Sequence, residues 1–92
     1  MKSVRTWKFK GLYEGLSDEI RTKADKSFRL WINDTTHPRL NFEKVDDEKD
    51  MWSARVDLNH RALCIKTTKD GETCFVWFWI GGHDEYERLI NS

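Results

Sequence analysis

The sequence predicts a single α+β domain, residues 1–92: a small, twisted antiparallel sheet with N-terminal helices packed on one face and a short C-terminal helix. Three observations predict it. Residues 74–80 (Cys-Phe-Val-Trp-Phe-Trp-Ile) are all apolar and lie between an Asp-Gly pair and Gly81-Gly82. Such a run reads as a strand buried on both faces. Asp70-Gly71 is a two-residue hairpin signature, because that turn needs positive φ. The elements follow the order strand, helices, three or four antiparallel strands, helix, which places helices over one face of a sheet.

In chain order, residues 3–9 alternate polar and apolar closely enough for a strand. Residues 11–16 suit one or two helical turns, weakened by Gly11 and Gly15. Ser17 reads as an N-cap, with Asp18 and Glu19 in the first turn, where the helix dipole favours acids. Ile20, Ala24, Phe28 and Trp31 then recur at helical spacing, widened by Leu30 and Ile32, so a helix is predicted over 18–33. Thr35-Thr36-His37-Pro38 is a loop, since the residue before proline leaves the helical region. Residues 41–45 suit a short strand and 46–50 an acidic turn. Residues 51–57 alternate, with Trp52, Ala54 and Val56 on one face and Ser53, Arg55 and Asp57 on the other. Asn59-His60 turns the chain into a strand over 61–67, and residues 84–91 form the last helix. Phe28, Trp31, Val56, Val76 and Phe78 are the expected core.

Ninety-two residues build one core, burying about 60–65% of the unfolded surface. Five tryptophans supply much of it. Lys/Arg and Asp/Glu number 16 each, and this neutrality argues against a nucleic-acid binder unless the charge is segregated. It is segregated: residues 1–45 carry ten basic and six acidic residues, residues 46–92 six and ten. Two cysteines are too few for a disulfide scaffold. The opening residues show no signal-peptide core, and no run approaches the roughly 20 apolar residues of a membrane span. The expected location is therefore the cytoplasm, with no membrane association.

The hairpin register carries the site argument. With Asp70-Gly71 as the loop, Lys69 faces Glu72 and Arg61 sits opposite Ile80, beside Gly81 and His83. His60 is next door. Cys64 then faces Trp77 and Cys74 faces Thr67, too far apart for a disulfide, so both read as small buried residues. His37, His60 and His83 show no short-range ligand spacing, so no metal and no cofactor is expected. His83 fits either a helix start packed on the sheet or a functional group, and Tyr86 either a core residue or a functional one. Arg55 could pair with Asp57 or the acidic turn, and Arg61 could be a rim charge. Lys23, Lys26 and Arg29 lie off the apolar stripe, as a solvated face or a phosphate contact.

Four segments carry a family resemblance: Leu40-Asn41-Phe42-Glu43-Lys44-Val45, Met51-Trp52-Ser53-Ala54-Arg55-Val56, Asn59-His60-Arg61-Ala62-Leu63, and the ending from Trp77 through Gly81-Gly82-His83-Asp84-Glu85-Tyr86. In this order and spacing they resemble the RelE/ParE superfamily of bacterial type II toxin–antitoxin toxins, the middle two its YoeB-like branch. The resemblance implies a toxin neutralised by a cognate antitoxin, with which it could form a heterotetramer, and which cleaves mRNA in the ribosomal A site. It implies Glu43 as base, Arg61 and Arg55 on the scissile phosphate, and His83 or Tyr86 as further catalytic groups. His60, Lys23, Lys26 and Arg29 would contribute to substrate binding. The reaction would be attack of a 2′-OH on its own phosphate, which needs a base, cations and an acid. Asp84, where many family nucleases carry a basic residue, departs from the pattern, as does the zero net charge. A ParE-like gyrase inhibitor and a pure antitoxin-binding module are the alternatives.

Overall fold

The computed structural model describes residues 1–91. Strand β1 spans Lys2–Arg5, helix α1 Trp7–Glu14 and helix α2 Asp18–Asn33; a 3-10 turn at Pro38–Leu40 follows. Strands β2 (Glu43–Asp46), β3 (Met51–Asp57), β4 (His60–Lys69) and β5 (Glu72–Gly82) lead into helix α3, His83–Ile90. The five strands form one sheet in the order β1-β5-β4-β3-β2, so β5 is interior. The α+β class holds. Among the described residues no helix is long and apolar enough to cross a membrane.

The sheet is mixed rather than antiparallel throughout. β1 runs parallel to β5, pairing Lys2 with Cys74 through Arg5 with Trp77. Alternation of polar and apolar residues marks a strand but carries no direction, so the sequence could not supply this. The predicted strand also ends early. The Thr6 hydroxyl accepts a hydrogen bond from the Phe9 amide at 3.1 Å and starts α1, turning Trp7 to Phe9 into helix.

Helix α2 has the predicted bounds, and the Ser17 hydroxyl accepts from the Ile20 amide at 3.3 Å. Its inward residues are Ala24 and Trp31. The Trp31 indole is 1% exposed and meets Phe42, Phe75 and Trp77 edge-on at 5.1–5.7 Å. Phe28 is 40% exposed, contrary to expectation. It stacks on the outer side of Trp31 at 6.1 Å, because the larger indole already fills the depth under the helix. Val56, Val76 and Phe78 are half-buried.

Asp70 and Gly71 both have positive φ, 54° and 76°, as the hairpin turn requires. The expected register holds from Lys69–Glu72 to Cys64–Trp77. A bulge at Phe78 then shifts it, so Leu63 faces Trp79 and Arg61 faces Gly81, not Ile80. Because side chains alternate between faces, one extra residue swaps the faces of everything beyond it. Ile80 therefore joins Trp77, Phe75 and Trp31 in the core under α1 and α2. Trp79 packs instead with Leu63 and Tyr86 under α3, on the opposite face. Gly81 is obligatory for this arrangement: a Cβ there would lie 2.6 Å from the buried Trp79 ring. Cys64 and Cys74 are buried and free, and burial pushes the Cys64 thiol well above its usual pKa.

Candidate active site

The bulge and the β3–β4 turn together build one end of the sheet. Arg55 on β3 lies directly opposite Arg61 on β4, so two arginines are cross-strand neighbours. Like charges placed this way repel. Neither forms an ion pair among the described residues. Arg55 pairs with neither Asp57 nor the acidic turn, and its Nε is buried with no hydrogen-bond partner among those residues. Arg61 is held by neutral acceptors: its Nη1 donates to the Asp57 carbonyl at 2.7 Å and the His60 carbonyl at 3.0 Å. Backbone oxygens fix the guanidinium without cancelling its charge.

Asp57 is occupied elsewhere. Its carboxylate accepts from the Asn59 amide at 2.8 Å, lies 3.0 Å from His60 Nδ1 and 3.6 Å from Lys23 Nζ. Burial opposes its charge, yet the hydrogen bonds from His60 and Asn59, with the charge of Lys23, hold its pKa below the ordinary carboxylate value. Asp57 thus ties α2 to the β3–β4 turn and fixes the carbonyls that grip Arg61.

Helix α3 closes this end. The His83 amide donates to the Asn59 carbonyl at 2.7 Å, anchoring the helix start to the same turn. The Tyr86 ring sits between partners: Arg61 Cζ is 6.0 Å from its centroid, and the His83 ring is also 6.0 Å away at 30°. A guanidinium over an aromatic face is attractive. His83 Nε2 is 3.3 Å from Glu87, while its Nδ1 is buried without a hydrogen-bond partner among the described residues. Tyr86 is buried, in keeping with the core reading, and its ring faces Arg61. Asp84 and Glu85 are exposed in the first turn of α3, where the helix dipole favours them.

Glu43 stands apart from His83. It begins β2 and pairs with Ser53, so Arg55 is its diagonal neighbour, roughly 7–8 Å away on the same face. Three strand spacings, roughly 14 Å, separate it from β5. Glu43 and His83 therefore flank the two arginines from opposite sides.

Lys23, Lys26 and Arg29 do not reach this cluster as a group. They line a groove of about 710 Å³ between α2 and β3, together with Arg39 and Arg55. Lys23 is engaged by Glu19 and Asp57, but Lys26, Arg29 and Arg39 form no ion pair among the described residues. Arg39 is the residue sequence reading missed. It sits just after Pro38 in a segment read as loop, and only the 3-10 turn brings it opposite α2. Arg55 belongs to both groove and sheet end. Among the described residues, no group of three or more His, Cys, Asp or Glu is placed to hold a metal ion.

No family model and no curated protein sequence matches the chain. Solved structures do. A YoeB/ParE toxin from Agrobacterium tumefaciens is 20% identical, with TM-score 0.68 over 90% of this chain and 99% of that one. The fold is that of the RelE/ParE-superfamily toxins. An antitoxin–toxin RelB–RelE complex from Methanococcus jannaschii has TM-score 0.65 at 10% identity, over 94% and 96% of the two chains. A copper-bound mutant toxin from Helicobacter pylori has TM-score 0.59 at 14% identity, over 92% and 97%. Within this fold Arg61, Tyr86 and His83 converge, Arg55 is the strand partner of Arg61, Glu43 lies on the far side of Arg55, and the α2 cations form a groove that Arg55 also lines.

Proposed function

We propose that this chain is the toxin of a type II toxin–antitoxin module and acts as a ribosome-dependent mRNA endonuclease. One observation carries the reading: Arg55 and Arg61 are cross-strand partners, and neither forms an ion pair among the described residues. Like charges on cross-strand partners cost stability, and an anion bound beside them relieves that cost. A guanidinium fork matches phosphate oxygens and stays charged at any working pH. At the scissile phosphate, the two arginines would stabilise charge developing on its non-bridging oxygens. Attacking and leaving oxygens lie in line on opposite sides of phosphorus. Glu43 on one flank fits the base that takes the 2′-OH proton, and His83 on the other fits the acid for the leaving oxygen. The groove of Lys26, Arg29 and Arg39 would hold the strand leading away from the cut. The partner implied is a separately encoded antitoxin, and the location is the cytoplasm.

One observation favours a second reading. Asp84 and Glu85 follow His83 on the exposed side of α3 and repel a polyanion. A RelE/ParE-type chain that binds DNA gyrase and cleaves nothing would carry no such penalty. Induction of the chain in a bacterium separates the two. The endonuclease reading expects growth arrest with translation halted first and mRNA cut on programmed ribosomes, reversed by co-expressing the neighbouring antitoxin gene. Arrest of replication with mRNA intact would establish the gyrase reading instead. Normal growth would leave only an antitoxin-binding module.

A further inference from the structure

Trp7, the first residue of α1, is 86% exposed. Of the other tryptophans, Trp31, Trp77 and Trp79 are buried, and Trp52 is half-buried beside Lys44 and Lys66. An indole offers one of the largest apolar surfaces a side chain can bury. Leaving it in water in a chain of this size sacrifices core that a small domain can hardly spare.

Its surroundings are cationic. Lys10 Nζ lies 4.8 Å from the Trp7 ring centroid, and Arg5 and Lys8 are exposed beside it in sequence. None of these three forms an ion pair among the described residues. Residues 1–13 contain four basic residues and no acidic one, which is the whole basic excess of the first half of the chain. A protein-docking surface would gather apolar side chains around the indole. Here Phe9 is buried and cations occupy positions 5, 8 and 10, with Lys10 over the ring. An aromatic plate ringed by unpaired cations matches single-stranded nucleic acid, whose bases stack and whose phosphates need neutralising.

The fold sets where this plate stands. Arg5 pairs with Trp77, and the Thr6 amide donates to the Trp77 carbonyl at 3.0 Å. Because β1 and β5 are parallel, both run toward the end of the sheet that carries Gly81, His83 and Arg61. Arg5 is level with Trp77, four residues before Gly81, so Trp7 stands at the β1 edge of the sheet, roughly 13 Å of strand short of the Gly81 end and at the edge opposite Glu43.

We propose that Trp7, with Arg5, Lys8 and Lys10, stacks and holds an unpaired nucleotide of single-stranded RNA outside the Arg55–Arg61 site. The choice of RNA over DNA rests on the endonuclease reading; the stacking site itself rests on exposure and charge.

The probe is a ten-residue oligoadenylate titrated into the full chain, followed by tryptophan emission and by anisotropy of the labelled oligonucleotide. Binding should quench the exposed indole. Trp7→Ala should weaken binding about five- to a hundredfold, and Trp7→Phe should recover most of it. The double variant Lys8→Gln/Lys10→Gln should flatten the slope of log affinity against log salt by about 1.4. An RNA duplex of the same length should bind no differently to wild type and Trp7→Ala. Oligonucleotide binding by Trp7→Ala within twofold of wild type overturns the proposal. So does a Trp7→Ala chain that keeps oligonucleotide affinity but loses self-association or antitoxin binding, which would make the plate a protein contact. The two readings fail separately: if Arg61→Ala keeps full cleavage, the active-site assignment falls while Trp7-dependent binding still stands.

Discussion

The two ends of the sheet treat charge in opposite ways. At the hairpin end, several charges find partners: Lys2 with Asp70 at 3.3 Å, the Met1 amino group with Glu72 at 2.6 Å, and Lys44 with Asp47 and Asp50 at 3.6 and 3.4 Å. At the other end, Arg55 and Arg61 are strand partners with no ion pair among the described residues, and the Asp57 carboxylate is engaged by His60 and Lys23. The hairpin end is settled within the chain itself. The two arginines have no such ion pair among the described residues. Where charges lack partners is a better guide to a site than net charge, which here is zero.

The comparison can be broken in steps. Trp31→Ala removes the indole on which α2, β5 and Phe42 converge. It should cost about 3–5 kcal/mol in urea unfolding and damage both ends together, whereas Phe28→Ala should cost clearly less. Arg61→Ala should leave the circular dichroism spectrum and antitoxin binding intact but lower mRNA cleavage by about 10²–10³. Arg61→Lys should recover only part, since an ammonium lacks the fork. Full cleavage by folded Arg61→Ala would move the phosphate to Arg55 and the α2 groove. Gly81→Ala forces the Trp79 ring to move and should cost about 1–3 kcal/mol, with a larger loss of cleavage than of stability because Arg61 is its pairing partner.

Asp57 links the two properties through pH. Its folded pKa is below the unfolded one, so its stabilisation is complete above about pH 4 and is lost as pH falls through the lower folded value. Asp57→Asn should flatten that stretch of an acid-unfolding curve and loosen Arg61, seen as reduced cleavage at neutral pH. The smallest effect belongs to the hairpin end. Asp70→Asn should change stability by less than about 1 kcal/mol and cleavage not at all, since an exposed pair of this kind contributes little. A cleavage defect in Asp70→Asn would end the distinction between the two ends.

What the sequence made legible is what is local. Ser17 capping α2, the Asp70-Gly71 turn and the apolar run of β5 each announce themselves within a few residues. Counting outward from the turn brought Arg61 to the right neighbourhood, one residue out of step. The bulge at Phe78 is decided by packing: Trp79 and Ile80 each fill a different core, and no short pattern encodes that choice. The same reason hid the Arg55–Arg61 pair, which depends on a second register shift before Asp57. Arg39 and the parallel β1 were invisible because both come into place through contacts distant in the chain.

The parallel pairing of β1 with β5 also has a temporal consequence. During synthesis β1 emerges well before the strand that receives it, since Lys2 pairs with Cys74. Until residue 77 is free, the outer edge of the future sheet has no template, and the β4 strand carrying Arg61 lacks its neighbour. Tyr86 and His83 come later still. Contacts between such distant parts of a chain form slowly, because the loop must close before it is rewarded. A copy cut short before residue 77 would therefore carry both arginines without the strand and helix that flank them.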